Sequence, residues 1–146
     1  MNSFKCSYTI LSSLGSKNKD RFNLKLKVGV KSYNNYPVFL GITFDEYLNF
    51  KCHTENLETR ARKRLNIIKI FSNKSWLLSH ETLKGIYGAL ISSIFTYSLF
   101  AIARLAKTNL KRLQRVQNRA LRSIYRLEWT SPTLLVHSIS NILPIR

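Results

Sequence analysis

The chain has 146 residues, with 24 Lys plus Arg against 7 Asp plus Glu, a formal net charge of +17. At 45% hydrophobic and 12% aromatic residues it is too apolar for an intrinsically disordered chain. It is also long enough to bury roughly 70% of its unfolded surface in one domain. With 5 Gly and 3 Pro it is neither fibrous nor low in complexity. Two cysteines, Cys6 and Cys52, cannot build a disulfide framework, so an intracellular setting is expected, the nucleus included. Residues 1–15 lack a cationic region leading into an apolar run, so secretion is not expected. A sequence pI near 10.4 on a foldable domain asks for a polyanionic partner, either nucleic acid or an anionic membrane surface.

Residues 1–50 carry 7 of the basic residues and read as short strands. Residues 7–11 are β-branched and aromatic, residues 22–28 alternate apolar and polar, and residues 38–44 are apolar enough to be buried. Turn residues separate them at 15–20 and 34–37. Residues 51–146 carry the other 17 basic residues and read as helices. Thr54 is placed to cap a first helix with Leu57, Ala61, Leu65 and Ile68 on its apolar face and Arg60, Arg62, Lys63 and Arg64 on the others. Ser79 opens a second helix, where Glu81 suits the positive helix start. Thr108 is placed to start a third, and Ser131-Pro132 a short fourth that Pro144 stops. The expected fold is α+β: a small antiparallel sheet over residues 1–50, then a bundle of three main helices and a short terminal helix over 51–146.

No catalytic constellation is legible. The acids are Asp20, Asp45, Glu46, Glu55, Glu58, Glu81 and Glu128, and only Asp45 and Glu46 are adjacent. Two-metal nucleotidyl transfer needs several carboxylates converging on ions about 4 Å apart, so these acids read as solvated surface groups. Cys52 and His53 are adjacent while Cys6, His80 and His137 are scattered, unlike the paired short spacings of zinc sites. The cysteines therefore read as packed thiols and the histidines as surface or capping groups.

The binding signal is sharper. Residues 104–126 contain eight basic residues and no acid. Arg104, Lys107, Lys111, Arg115, Arg119, Arg122 and Arg126 step by three or four, about 3.7 on average, which is close to the α-helical period. On a wheel they fill an arc of roughly 120°, opposite Leu110, Leu113, Ala120, Ile124 and Leu127. Such a cationic ridge can track a phosphate backbone, whereas an ordinary solvated face mixes signs to gain i,i+4 pairs. A competing reading comes from residues 85–103, which run without a charge for about the length of a membrane span. Small polar residues dilute that run and basic residues flank both ends, so a central helix explains it as well and a membrane partner is not favoured.

The segment Leu113-Gln114-Arg115-Val116-Gln117-Asn118-Arg119-Ala120-Leu121-Arg122 resembles the "L-x-R-x-Q-N-R-A-L-R" helix near the end of the reverse transcriptase of non-LTR (LINE-type, jockey-like) retrotransposons. Phe39-Leu40-Gly41-Ile42-Thr43-Phe44-Asp45 is similar to that family's "Y-L-G-V-x-x-D" segment, and residues 83–97 to its "L-x-x-x-Y-x-x-L-I-x-S-x-x-x-Y". The resemblance covers about residues 37–145. The family usually has Arg or Lys near Ser92, Gly at Ser98 and Trp near Ile102, and this chain departs there. The resemblance implies the end of a polymerase palm (residues 1–50) followed by a helical thumb (51–146). It also implies that the catalytic aspartates and their Mg²⁺ belong to an upstream palm, and that this chain alone is inactive. The implied partner is an RNA/DNA template–primer duplex held through its phosphates, with the missing palm as a protein partner. Phe39, Leu40 and Gly41 would lie on the hairpin that supports the primer end; a simple strand-end turn explains Gly41 equally well. The seven basic residues would neutralise phosphates. Two rival readings are a single-span membrane protein and an expressed relic of a retrotransposon without function.

Overall fold

The computed structural model describes residues 7–11, 25–26, 29–30 and 32–145. It has the expected α+β architecture, with short strand pairs followed by helices packed around one core. The turn expected at 15–20, Cys6 and most of the strand expected at 22–28 lie outside the described residues. The strands are β1 (Ser7–Tyr8), β2 (Lys25–Leu26), β3 (Gly29–Val30), β4 (Ser32–Tyr33), β5 (Val38–Phe39) and β6 (Ile42–Thr43). They form three separate pairs: β2–β3 and β5–β6 are antiparallel, and β1–β4 is parallel with Tyr8 opposite Tyr33.

The apolar run 38–44 is not one buried strand. It folds on itself, with Val38 opposite Thr43 and Phe39 opposite Ile42. The two loop residues both have positive φ, Leu40 at 48° and Gly41 at 75°, the pattern of the type I′ hairpin turn. A left-handed backbone is free for glycine but strained for leucine. Tyr97 anchors it, its hydroxyl donating to Leu40 O at 2.6 Å. Folding back leaves Val38, Phe39 and Leu40 at 66%, 67% and 71% exposure.

The hairpin is joined to helix α1 (Lys51–Phe71) through a buried histidine. His53 Nδ1 accepts from Thr43 N–H at 3.3 Å, so its Nε2–H donates to Ser98 Oγ at 3.2 Å. Thr54 does not cap α1; it lies inside the first turn and its hydroxyl donates back to Phe50 O. The helix start is served through space by Asp45, whose carboxylate accepts from Asn49 N at 2.7 Å and Lys51 N at 3.3 Å. An anion there complements the positive end of the helix. Leu57, Ala61, Leu65 and Ile68 form the buried face of α1, as their spacing predicts.

Helix α2 (His80–Tyr87) starts where expected, with Ser79 Oγ accepting from Thr82 N. It runs into a π-helical turn, Gly88–Ser92, then α3 (Ser93–Tyr97) and, after a break at Ser98, α4 (Leu99–Ala103). Residues 85–103 are therefore interrupted twice. Among the described residues no helix is long and apolar enough to cross a membrane. That removes the support for the membrane-span reading. The uncharged run exists because Tyr87, Ile91, Ile94, Phe95 and Ile102 are packed into the protein core.

Helix α5 (Lys107–Ile124) begins one residue before Thr108, with Ala106 at its N-cap position. Its buried face is Leu113, Val116, Ala120, Leu121 and Ile124, packed against α1. Helix α6 (Thr133–Ser140) follows Pro132 and ends at Asn141 in the left-handed conformation, so Asn141 rather than Pro144 stops it.

Two outcomes test this architecture. Gly41→Ala forces a β-carbon onto a φ of 75°, and urea unfolding should report a loss of about 1–2 kcal/mol; no loss would mean the turn is not formed. Burial, aided by the charge of Arg60, holds the His53 imidazole below its ordinary value of 6.5. Below that pH the unfolded chain binds a proton that the folded chain refuses, so stability falls as pH drops from 6.5 through the lowered folded value. The stability advantage of wild type over His53→Gln should shrink between pH 7.5 and 5; a constant difference would overturn the His53–Thr43 link.

Candidate nucleic-acid interface

The charges on α1 and α5 sort into two sets. One set is internal. Glu58 is buried between the helices, where Arg62 donates to its Oε1 at 2.6 Å and Arg112 to its Oε2 at 2.7 Å. Arg112 also reaches Glu55 at 3.3 Å. Burial works against the Glu58 carboxylate, but the Arg62 and Arg112 guanidiniums outweigh it and hold its pKa below the ordinary value. Glu58 is thus not the solvated acid its sequence context suggests. Arg64 is likewise occupied, donating to Leu90 O in the π-helical turn at 2.6 Å.

The second set faces solvent. Lys107, Lys111, Arg115 and Arg119 are exposed on α5 at four-residue intervals. They run along roughly 18 Å of helix at 1.5 Å per residue. The other three ridge residues differ. Arg104 precedes α5 and lies 5.5 Å from the Phe100 ring centre. Arg126 follows α5 with φ of 52°, in the left-handed position that closes the helix. There Arg126 N–H reaches Ser123 O at 3.4 Å and Leu127 N–H reaches Arg122 O at 2.9 Å, the paired bonds of a Schellman end. Arg122 is half-buried; its Nη2 donates to Ser131 O at 2.8 Å, and its Nε is buried without an acceptor among the described residues. It ties the turn after α5 back onto the helix.

The polar residues of the same helix have a third role. Gln114 Nε2 donates to Gln117 Oε1 and Asn118 Oδ1 at 2.8 and 2.7 Å, and lies 3.1 Å from His137 Nε2. His137 Nδ1–H donates to Ile142 O at 2.7 Å. Gln117 Nε2 donates to Leu143 O at 3.0 Å, and Ile145 N–H donates to Gln114 Oε1 at 2.7 Å. The network clamps α6 and residues 142–145 onto α5. Reading α5 as a two-faced helix missed it, because amides buried along one flank, as Gln117 and Asn118 are, have no distinguishing period.

The hairpin and the Arg115–Arg122 part of the ridge fall at two ends of α1. The hairpin carrying Phe39, Leu40 and Gly41 is held by His53 near the start of α1. Sixteen residues on, about 24 Å along the helix axis, Lys69 joins Arg115, Arg119, Arg122 and Trp129 around an open groove of about 660 Å³. Sequence periodicity did not associate Lys69 or Trp129 with the ridge, since both come from outside α5.

Among the described residues no group of three His, Cys, Asp or Glu side chains could hold an ion. Asp45 is committed to backbone N–H groups, and Glu58 to two arginines. Engaged in this way, Asp45 and Glu58 do not fit a Mg²⁺ pair.

Comparison with known proteins gives a compatible relation. The chain is similar to the probable RNA-directed DNA polymerase from transposon BS of Drosophila melanogaster, 29% identical over 86 residues. The alignment covers 59% of this chain and 10% of that protein. No family model matches the chain. No solved structure matches it either. The similarity supports relating the chain to a transposon reverse transcriptase.

The unequal positions of the arginines are separable by stability. Arg122→Gln keeps helix propensity but loses the bond to Ser131 O, and should cost about 1 kcal/mol in urea unfolding. Arg119→Gln should change stability by less than about 0.5 kcal/mol. Equal effects would mean that Arg122 is as free as its neighbours.

Proposed function

We propose that the chain is the palm end and thumb of a retrotransposon reverse transcriptase, and that α5 grips the template–primer duplex. Residues 1–50 would be the end of the palm and residues 51–146 the thumb. The observation that carries this reading is the line Lys107, Lys111, Arg115 and Arg119, exposed on one continuous helix and free of interleaved acids. The similarity to a transposon RNA-directed DNA polymerase supplies the biological context. Side chains at this spacing meet phosphates rather than base edges, so the contact is sequence-independent and positions the duplex. The turn Phe39-Leu40-Gly41, whose Phe39 and Leu40 are exposed, would support a primer end or meet the rest of a polymerase palm. Polymerisation and its Mg²⁺ are assigned to that upstream palm, not to this chain.

Four phosphates neutralised give a slope of log K against log salt of about −4 for B-form DNA, at −0.9 per phosphate. Replacing Lys111, Arg115 and Arg119 together by Gln should flatten it by about 2.7 units, with urea unfolding unchanged within about 0.5 kcal/mol. Fluorescence anisotropy with a blunt duplex across a salt series measures this. An unaltered slope would move the site away from this part of α5, with the exposed Arg60 and Lys63 of α1 as candidates.

A further inference from the structure

The groove at the far end of the ridge has a composition that phosphate binding alone does not require. Lys69 of α1 and Arg115, Arg119 and Arg122 of α5 line it together with Trp129, and no carboxylate is among its lining residues. Its volume of about 660 Å³ is within the range of built ligand sites. Trp129 is 83% exposed, although an indole is among the costliest side chains to leave in water. It is not carried on a loose tip. Arg122 Nη2 pins Ser131 O, Ser131 N–H donates to Glu128 O at 3.1 Å, and Thr130 Oγ1 lies 3.3 Å from Glu128 Oε2. The one acid of this turn is therefore engaged with Thr130 and is not among the residues lining the groove. The backbone that carries the indole is thus held in place, which lowers the entropic cost of using it.

We propose that Trp129 is a stacking platform for an unpaired nucleobase, with Arg115, Arg119 and Lys69 holding the phosphates on either side. This rests on the reading of α5 as a nucleic-acid-binding helix. A bare phosphate or an acidic peptide would be met by the cations without an indole. A nucleobase has an apolar face to lay on the ring, with a phosphate one bond system away on each side. Inside a duplex both faces of a base are already covered by neighbours, so Trp129 is served by a single strand, an overhang or a frayed end. The helix would then treat two parts of one substrate differently: duplex phosphates along the ridge, and an unpaired strand at the groove.

The test uses the full chain, a fluorescein-labelled oligothymidine of about ten nucleotides and a blunt hairpin duplex. Trp129→Ala should weaken binding of the single strand roughly five- to 150-fold, the range for loss of one base–aromatic stack. It should leave the blunt duplex within about twofold, while Trp129→Phe retains most of the single-strand affinity. Indole emission, read as wild type minus Trp129→Phe so that Trp76 cancels, should be quenched by the single strand; this arm needs no destabilised variant. Equal losses on both ligands, or no loss and no quenching, overturn the proposal. If wild type binds the duplex with the expected salt slope but Trp129→Ala costs nothing on the single strand, the stacking site falls and the ridge stands. If Trp129-dependent single-strand binding persists without duplex binding, the ridge reading falls and the stacking site stands. Binding of neither ligand removes both.

Discussion

The contact between α1 and α5 is the interaction on which the rest of the structure depends. Leu57, Ala61, Leu65 and Ile68 from one helix meet Leu113, Val116, Ala120, Leu121 and Ile124 from the other, and all are buried. Each large aliphatic side chain removed from water contributes roughly 1.5–3 kcal/mol, so this seam opposes the self-repulsion of a chain carrying +17. It also decides where the cations can go. The seam admits Arg112 only because Glu58 and Glu55 receive it, and the remaining α5 cations are turned outward or into its ends.

With that seam in place, the segment Leu113–Arg122 resolves into several jobs written into one helix. Leu113, Val116, Ala120 and Leu121 are core. Arg115 and Arg119 are solvent-facing charge, and Gln114, Gln117 and Asn118 hold α6 and the residues after it. Arg122 secures the turn that presents Trp129. A helix repeats its direction every 3.6 residues, so apolar, cationic and amide positions can interleave in ten residues without competing for the same side. The dense motif is the economy of one helix packed on three flanks and open on the fourth.

What could be read from sequence divides along the same lines. The buried faces of α1 and α5 were legible because burial imposes helical periodicity on the residue types. The line from Lys107 to Arg119 was legible for the same reason. Arg122 and Arg126 were not separable from that line, because helix ends change the rules: one cation becomes a tether and the other adopts a left-handed φ of 52°. Thr54 and Thr108 looked like caps, yet α1 is served by Asp45 from six residues before Lys51, a through-space arrangement that no local pattern encodes. Residues 85–103 had the composition of both a span and a core segment. Only the packing of Ile91, Phe95 and Ile102, with the π turn and the break at Ser98, separates the two. The groove was invisible because it joins Lys69 to Trp129 across 60 positions of sequence.

The exposed line on α5 has an energetic cost that bears on its purpose. Lys107–Lys111, Lys111–Arg115 and Arg115–Arg119 are like-charged i,i+4 neighbours, each destabilising a helix by about 0.2–0.5 kcal/mol. The sum is on the order of 1 kcal/mol, small beside the burial of the opposite face, so the fold tolerates it. Nothing in packing or propensity requires it, since Glu at any second position would convert repulsion into attraction with equal helix propensity. Arg112, one residue from Lys111, shows how this protein treats a cation whose role is structural: two carboxylates are brought to it. Along the outer line no such carboxylate is supplied from within α5. A repulsive row kept on the outer side of a helix whose opposite face is buried is the arrangement expected where the neutralising charge arrives from a ligand, and a strand of phosphates delivers that charge at intervals a helix can meet.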